Sequence, residues 1–159
     1  LQVGSRSVQN VPLLKEVGAS GHPVLLKRGL MTTVFEWLSA AEYILEAGGG
    51  DAPVVLCERG IRTFETTTRN TLDLNAVALL REVSRLPMIV DPSHGTGRTD
   101  LVPAMAMASL AAGADGLLIE VHETPDESWS DAGQTLGLPR FRQLVDECRA
   151  LSRALGREL

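Results

Sequence analysis

Residues 88–98 read MIVDPSHGTGR, and this stretch decides how the rest of the chain is interpreted. A short apolar run stops at Asp91, and a proline, a histidine and two glycines follow. Such a run is typical of a strand buried on both faces, as in a parallel sheet covered by helices. Its polar tail then lies at the carboxyl end of the strand, where ligands of α/β folds bind. His94 is therefore the first candidate for a reactive side chain, and the alternative is a histidine that only makes hydrogen bonds within its loop.

The same pattern of an apolar run followed by charged residues occurs four more times in the chain. It predicts five strands, at residues 1–5, 24–26, 54–57, 88–90 and 116–119. Helical spacing of apolar residues predicts intervening helices at 11–17, 34–47, 76–83 and 101–112, and a closing helix at about 139–155. Thr33 and Glu36 have the spacing of a capping box, and Asn75 is the expected cap of the helix that follows it.

Five strand–helix units in unbroken succession predict an α/β fold with a parallel sheet, either open and doubly wound or closed into a (β/α)8 TIM barrel. No GxGxxG turn follows the first strand, and charged residues follow every strand, which favours the barrel. A barrel needs eight units. We therefore expect residues 1–159 to form the C-terminal five-eighths of a barrel domain, with five adjacent strands in chain order and no closure. Val24, Leu26, Val55 and Ile89 are expected to face the barrel interior.

Composition narrows the class of protein. A length of 159 residues fits one domain, and the net charge of −5 argues against general binding of nucleic acid or an anionic membrane. No apolar run reaches membrane-spanning length, and the first residues lack the features of a signal peptide. The two cysteines, Cys57 and Cys148, form no CxxC motif and are expected to be packing residues. A cytoplasmic protein is the resulting expectation.

Basic side chains are concentrated after three of the predicted strands. They are Arg6, Lys27, Arg28, Arg59 and Arg62. Because guanidinium and ammonium groups bind phosphate and carboxylate, this set predicts a binding site for a phosphorylated or carboxylated substrate at the mouth of the barrel. The alternative is that these residues make salt bridges to the starts of helices.

The later strand ends carry a candidate metal site. His94, Glu120 and an acid of the final loop, either Asp126 or Asp131, supply one imidazole and two carboxylates. This combination suits a divalent metal such as Mn, Fe, Co or Zn. The spacing of these residues forms no compact motif, so residue type alone leaves the choice between Asp126 and Asp131 open.

Six segments in order carry a resemblance that covers essentially the whole chain: VGSRSVQN, PVLLKRG, VVLCERGIRTFETTTRNTLD, PMIVDPSHGTGR, GADGLLIEVH and SDAGQTL. Together they resemble the type I β family of 3-deoxy-D-arabino-heptulosonate 7-phosphate (DAHP) synthases. The resemblance implies a metal-dependent transferase with a (β/α)8 barrel. It condenses phosphoenolpyruvate with the phosphorylated aldose erythrose 4-phosphate in the first step of the shikimate pathway, which leads to aromatic amino acids. It also implies a homo-oligomer for the complete protein.

Roles for single residues follow from the resemblance. Arg6 and Lys27 correspond to residues that contact the phosphate of phosphoenolpyruvate, and Arg59 to one that contacts its carboxylate. His94, Glu120 and Asp131 correspond to metal ligands, which selects Asp131 over Asp126, and His94 and Lys27 are the expected catalytic residues. The family's fourth ligand, a cysteine, and its KPRTS-type loop are absent from these 159 residues. The segment alone is therefore expected to be inactive.

Two other functions stay open at this point. The related 3-deoxy-octulosonate 8-phosphate synthases use arabinose 5-phosphate, although GSRSVQN and IRTFETTTRNTLD look more like the heptulosonate branch. The chain could instead be a non-catalytic fragment or partner subunit. Metal and phosphoenolpyruvate binding separates the enzymes from this last possibility.

Overall fold

The computed structural model describes residues 1–50 and 52–157. Parallel strands alternate with helices along the chain. The elements are β1 (Gln2–Val3), α1 (Val11–Ala19), β2 (Val24–Lys27), α2 (Val34–Ala47), β3 (Val54–Glu58), α3 (Leu74–Val83), β4 (Met88–Val90), α4 (Pro92–Thr96), α5 (Val102–Ala111), β5 (Gly116–Leu117), β6 (Val121–His122), β7 (Leu136–Gly137) and α6 (Leu138–Ala154).

The main sheet has the order β1-β2-β3-β4-β5, and all its pairs are parallel. This confirms five adjacent strands in chain order. A doubly wound sheet would show a switch in strand order, and a small closed barrel would pair β1 with β5. Within the described residues the sheet has neither, so it corresponds to consecutive units of an incomplete barrel. None of the described helices is long and apolar enough to cross a membrane.

The strand register corrects one expectation about the two faces of the sheet. Leu26 pairs with Leu56, and Leu56 pairs with Met88, in a row that faces the helices. Val24 lies on this same face, because side chains two residues apart share a face. Val24 and Leu26 are fully buried in the core that also contains side chains of α2. The prediction that they face the barrel interior is therefore wrong.

The opposite face carries Val55 and Ile89, which are half-buried. Lys27 lies in register with Cys57 on this face, and Cys57 with Ile89. The sheet thus has one apolar face that is covered by helices. Its other face carries charged residues at the carboxyl ends of the strands.

Helix starts explain two further differences from the sequence-based expectation. The capping box of α2 is confirmed, because Thr33 and Glu36 exchange side-chain and backbone hydrogen bonds. Helix α3 begins at Leu74 and is capped by Asp73, whose carboxylate accepts from the Ala76 N–H, so the assignment of Asn75 as the cap is wrong. Asp91 caps the short helix α4 by accepting from the His94 N–H at 2.9 Å, where the sequence predicted a loop.

A second, two-stranded sheet was not predicted. The chain leaves the main sheet after Leu117, and β6 then pairs in parallel with β7. The Glu120 carbonyl accepts from the Leu136 N–H at 2.9 Å. This pairing joins the two ends of the polar loop 123–135 and places the end of the loop beside Glu120.

Candidate active site

A cavity of about 430 Å³ opens at the carboxyl ends of the strands. Its basic lining residues are Arg6, Lys27, Arg59, Arg62 and Arg69, and His94 and Asp131 lie on its wall. Arg6, Arg62 and Arg69 are exposed to solvent, whereas Lys27 and Arg59 are 7% and 5% exposed. A concave site with several cations is suited to an anionic ligand.

Arg28 does not belong to this cavity. It follows Lys27 and so lies on the opposite face, where its Nη1 is 2.9 Å from both Glu58 Oε2 and Asp73 Oδ2. Its Nε donates to the Thr32 carbonyl at 2.9 Å. The expectation that Arg28 contributes to the mouth is therefore wrong, and the salt-bridge alternative holds for this residue.

Burial and pairing act against each other in the Arg28–Glu58 pair. Burial opposes the charge of Arg28, but hydrogen bonds to Glu58 and Asp73 raise its pKa above the ordinary value. Burial raises the pKa of Glu58, and the hydrogen bond from Arg28 only partly counteracts it. This is a structural ion pair that joins β2, β3 and the start of α3.

Arg59 is the counterpart of Arg28 on the cavity side. Its Nη1 is buried and has no hydrogen-bond partner among residues 1–50 and 52–157. Burial lowers the pKa of Arg59, and the nearby Arg69 acts in the same direction, while Asp91 opposes both. Glu58 Oε1 accepts from the Gly60 N–H at 2.7 Å and so fixes the backbone on the far side of Arg59. A buried guanidinium with an unused donor is prepared for an anion.

Asp91 connects the cationic wall to His94. Its Oδ2 accepts from Lys27 Nζ at 2.8 Å, and the same oxygen lies 2.8 Å from His94 Nδ1. The ring nitrogen makes no directed hydrogen bond to this oxygen. Burial opposes the ionisation of Asp91, but its contacts with His94 and Lys27 outweigh burial and hold its pKa below the ordinary value.

The structure brings His94, Glu120 and Asp131 together. One ligand atom from each lies within 4.8 Å of the others, and His94 Nε2 is 3.4 Å from Glu120 Oε1 and 3.8 Å from Asp131 Oδ2. Atoms that share one ion at about 2.0 to 2.2 Å lie about 3 to 4 Å apart, so these three fit a divalent metal. Asp126 is exposed on the 3-10 turn Pro125–Glu127 and lies outside the group.

Asp131 adopts an uncommon backbone conformation. Its φ of 56° is the one positive value of a non-glycine residue in the described part of the chain. Its carbonyl accepts from the Gln134 N–H at 3.0 Å and from Thr135 Oγ1 at 3.0 Å. Such strain persists where the surroundings enforce it, often at functional sites.

Sequence reasoning missed three residues at this site. Arg69 Nη1 lies 2.7 Å from Asp131 Oδ1, and Asn70 Nδ2 donates to the His94 carbonyl at 2.8 Å. Gln134 is buried beside Glu120. Arg69 and Asn70 belong to the long polar segment after β3, and its length and its place at a strand end were the available signal. Gln134 lies within SDAGQTL, three residues after Asp131, and this proximity was the available signal.

The fold and the cavity define a class of protein, namely (β/α)8-type proteins with an anion-binding cavity beside a candidate divalent-metal site. The family model described as the DAHP synthetase I family matches residues 1–154. The chain belongs to this family, as the resemblance of its six segments implied.

Comparison with individual proteins agrees with this assignment. The chain is 50% identical over 156 residues to phospho-2-dehydro-3-deoxyheptonate aldolase of Thermotoga maritima, covering 98% of this chain and 46% of that protein. A 2-dehydro-3-deoxyphosphooctonate aldolase of Azoarcus sp. is 28% identical over 162 residues, covering 95% of this chain and 57% of that protein. The chain thus spans about half the length of these relatives.

Solved structures show the same fold. The crystal structure of the Thermotoga maritima aldolase, a DAHP synthase, superposes with a TM-score of 0.95 at 49% identity, covering 99% of this chain and 46% of that one. A truncated form of the synthase from the same organism also gives 0.95 at 49% identity, covering 99% of this chain and 59% of that one.

Proposed function

We propose that the protein acts in the condensation of phosphoenolpyruvate with erythrose 4-phosphate, which gives DAHP and inorganic phosphate, the first step of the shikimate pathway. The observation that carries the proposal is the cavity in which basic side chains line the same walls as His94 and Asp131, two members of the group that also contains Glu120. Membership of the DAHP synthetase I family supports it. The 50% identity to the heptonate aldolase, against 28% to the octonate aldolase, favours erythrose 4-phosphate as the acceptor.

Phosphoenolpyruvate carries a phosphate and a carboxylate, and the cavity offers donors for both. We assign Arg6 and Lys27 to the phosphate and Arg59 to the carboxylate. The unused buried donor of Arg59 supports its assignment, because binding a carboxylate would satisfy it. Asp91 holds Lys27 Nζ in place from one side and leaves its other donors for the ligand.

The proposed reaction forms one carbon–carbon bond, forms a carbon–oxygen bond to water and breaks the carbon–oxygen bond to phosphate. C3 of phosphoenolpyruvate attacks the aldehyde carbon of the acceptor, whose oxygen takes up a proton. Water adds to C2 and loses one proton. The new hydroxyl loses the second proton as the bond between C2 and the phosphate oxygen breaks, which leaves a carbonyl at C2 and releases phosphate. Lys27 and Arg6 stabilise the charge on the departing phosphate. For Lys27, which Asp91 holds in place, this is a pre-organised effect that needs no rearrangement during the step.

We assign His94, Glu120 and Asp131 as the residues that would hold a divalent metal such as Mn, Fe, Co or Zn. When bound, such an ion supplies Lewis-acid polarisation of the aldehyde oxygen or orients a water. Asp91 accepts from the His94 backbone N–H at 2.9 Å and so would help to hold His94 with Nε2 beside the two carboxylates. His94 and Lys27 are the proposed catalytic residues.

Other parts of the proposal depend on the family. Its fourth metal ligand and its KPRTS-type loop have no counterpart in the 159 residues. We therefore expect this segment to bind phosphoenolpyruvate and metal without turnover. We propose that residues 1–159 are part of one barrel domain. We propose a homo-oligomer for the complete protein. We also propose a cytoplasmic location, which two buried free thiols, Cys57 and Cys148, support.

The test has two stages. Calorimetry on the purified chain, treated with chelator and then supplied with Mn²⁺, should show binding of both the ion and phosphoenolpyruvate. In the protein as encoded by its gene, phosphate release should require erythrose 4-phosphate and a divalent metal. Absence of both binding events would contradict the proposal. Faster turnover with arabinose 5-phosphate would assign the protein to the octulosonate branch instead.

A further inference from the structure

We propose that Gln134 is a positioning residue for the candidate metal site. Together with Arg69 it bridges Glu120 and Asp131 and directs one oxygen of each carboxylate toward His94. This inference rests on the proposed function, because it concerns the same three metal ligands. It adds a residue that touches neither the ion nor the substrate.

Gln134 is 2% exposed, and both ends of its amide are used. Its Nε2 donates to Glu120 Oε2 at 2.8 Å. Its Oε1 accepts from Arg69 Nη1 at 2.7 Å, and the same Nη1 donates to Asp131 Oδ1 at 2.7 Å. The bridge thus runs from one carboxylate to the other through an amide and a guanidinium.

The bridge occupies one oxygen of each acid and leaves the other available. The occupied atoms are Glu120 Oε2 and Asp131 Oδ1. The remaining oxygens, Glu120 Oε1 and Asp131 Oδ2, are the atoms nearest to His94 Nε2, at 3.4 and 3.8 Å. Each carboxylate is therefore held so that it presents a single oxygen to a shared ion, and the rotation that would disperse these oxygens is restrained.

The amide of Gln134 has the hydrogen-bonding groups that the central position of this bridge requires. It must donate toward a carboxylate and accept from a guanidinium at the same time, which a carboxylate or an ammonium group cannot do. The bridge also connects parts of the chain that are distant in sequence, since Arg69 follows β3 and Gln134 precedes β7. Partners that hold metal ligands from behind commonly change metal affinity about 10- to 100-fold when they are lost.

The deciding experiment is Gln134→Met, which keeps the length of the side chain and removes both hydrogen bonds. We expect the affinity for Mn²⁺ alone, measured by calorimetry after chelator treatment, to fall about 10- to 100-fold. The matched control is Gln143→Met on α6. Gln143 Nε2 donates to Glu147 Oε1 at 2.9 Å on the exposed surface, so this variant loses a similar contact far from the site. The control should bind Mn²⁺ like the unaltered protein.

Metal-free melting temperature separates positioning from a role in folding. A folded Gln134→Met variant that binds Mn²⁺ as tightly as the unaltered protein would overturn the inference and leave the proposed function intact. If the unaltered protein binds no Mn²⁺, Co²⁺ or Zn²⁺, the proposed metal site fails and the inference fails with it.

If Gln134→Met does not fold, Gln134→Asn replaces it, because its amide is one methylene too short to reach both partners. The expected result is again weaker Mn²⁺ binding by a folded protein. Failure of both variants to fold would overturn the inference, since Gln134 would then be a residue that the fold requires.

Discussion

Two consecutive charged pairs at the ends of β2 and β3 have opposite surroundings. Arg28 and Glu58 turn toward the helices and pair with each other at 2.9 Å. Lys27 and Arg59 turn toward the cavity, where Arg59 keeps a buried donor without a partner in the described part of the chain. Arg28 and Arg59 are the same type of residue, so it is the completeness of pairing that distinguishes a structural arginine from one available to a ligand.

The physical basis of this difference is desolvation. Removing a guanidinium from water is unfavourable unless hydrogen bonds and opposite charge replace the water. On the helix side Glu58, Asp73 and the Thr32 carbonyl supply that replacement. On the cavity side the replacement for Arg59 is incomplete, which leaves free energy that an anionic ligand can recover.

The largest expected effect is on the free energy of unfolding and concerns the Arg28–Glu58 pair. Arg28→Met leaves Glu58 buried without its cation, and we expect the free energy of unfolding to fall by about 3 to 5 kcal/mol. The measurement is urea unfolding at neutral pH. The control is Arg81→Met, which breaks the half-exposed pair with Asp115 and should lower it by about 1 kcal/mol or less. Equal losses in the two variants would remove the distinction between a buried and an exposed pair.

Substitution of Arg59, whose pairing is incomplete, should change ligand affinity. Arg59→Ala should weaken phosphoenolpyruvate binding by about 2 to 4 kcal/mol, or about 30- to 1000-fold, because it removes a buried charged donor. Calorimetry on the purified protein measures it. Arg153→Ala on the exposed face of α6 is the control and should leave binding unchanged. Similar affinities for both variants would show that Arg59 is not part of the anion site.

A smaller effect of opposite sign is expected for stability without ligand. Arg59→Met removes a buried charge whose pairing is incomplete and keeps an apolar stem, so the free energy of unfolding should rise by about 1 kcal/mol. Urea unfolding without phosphoenolpyruvate, phosphate or other multivalent anions measures it. A loss of several kcal/mol would place Arg59 with Arg28 among the structural cations.

The smallest effect concerns an exposed and fully hydrogen-bonded charge. The Thr33 backbone N–H and then its hydroxyl lower the pKa of Glu36 below its ordinary value of 4.5. Its contribution to stability is therefore fully present above pH 4.5 and is lost as the pH falls through the lowered pKa. In thermal melts, Glu36→Gln should destabilise the protein at pH 7 and converge with the unaltered protein in stronger acid. A constant difference at every pH would contradict this linkage.

The sequence by itself determined the order of the elements and the chemistry at each strand end. Alternation of strand and helix patterns predicted five parallel strands in chain order, and Asp91 and His94 directly after β4 predicted the centre of the site. These features are local, since they depend on the period of apolar residues and on where an apolar run stops. The resemblance of the motifs then selected Asp131 over Asp126.

Only the tertiary structure decided which of two adjacent charges faces the cavity. Lys27 and Arg28 differ by one position, and the register between neighbouring strands assigns them to opposite faces, as it does Val24 and Val55. The bridge from Arg69 through Gln134 to Glu120 is likewise invisible in the sequence, because its members lie on separate loops. The parallel β6–β7 pair brings Gln134 beside Glu120, and a two-residue strand pair has too short a pattern to be recognised before the chain folds.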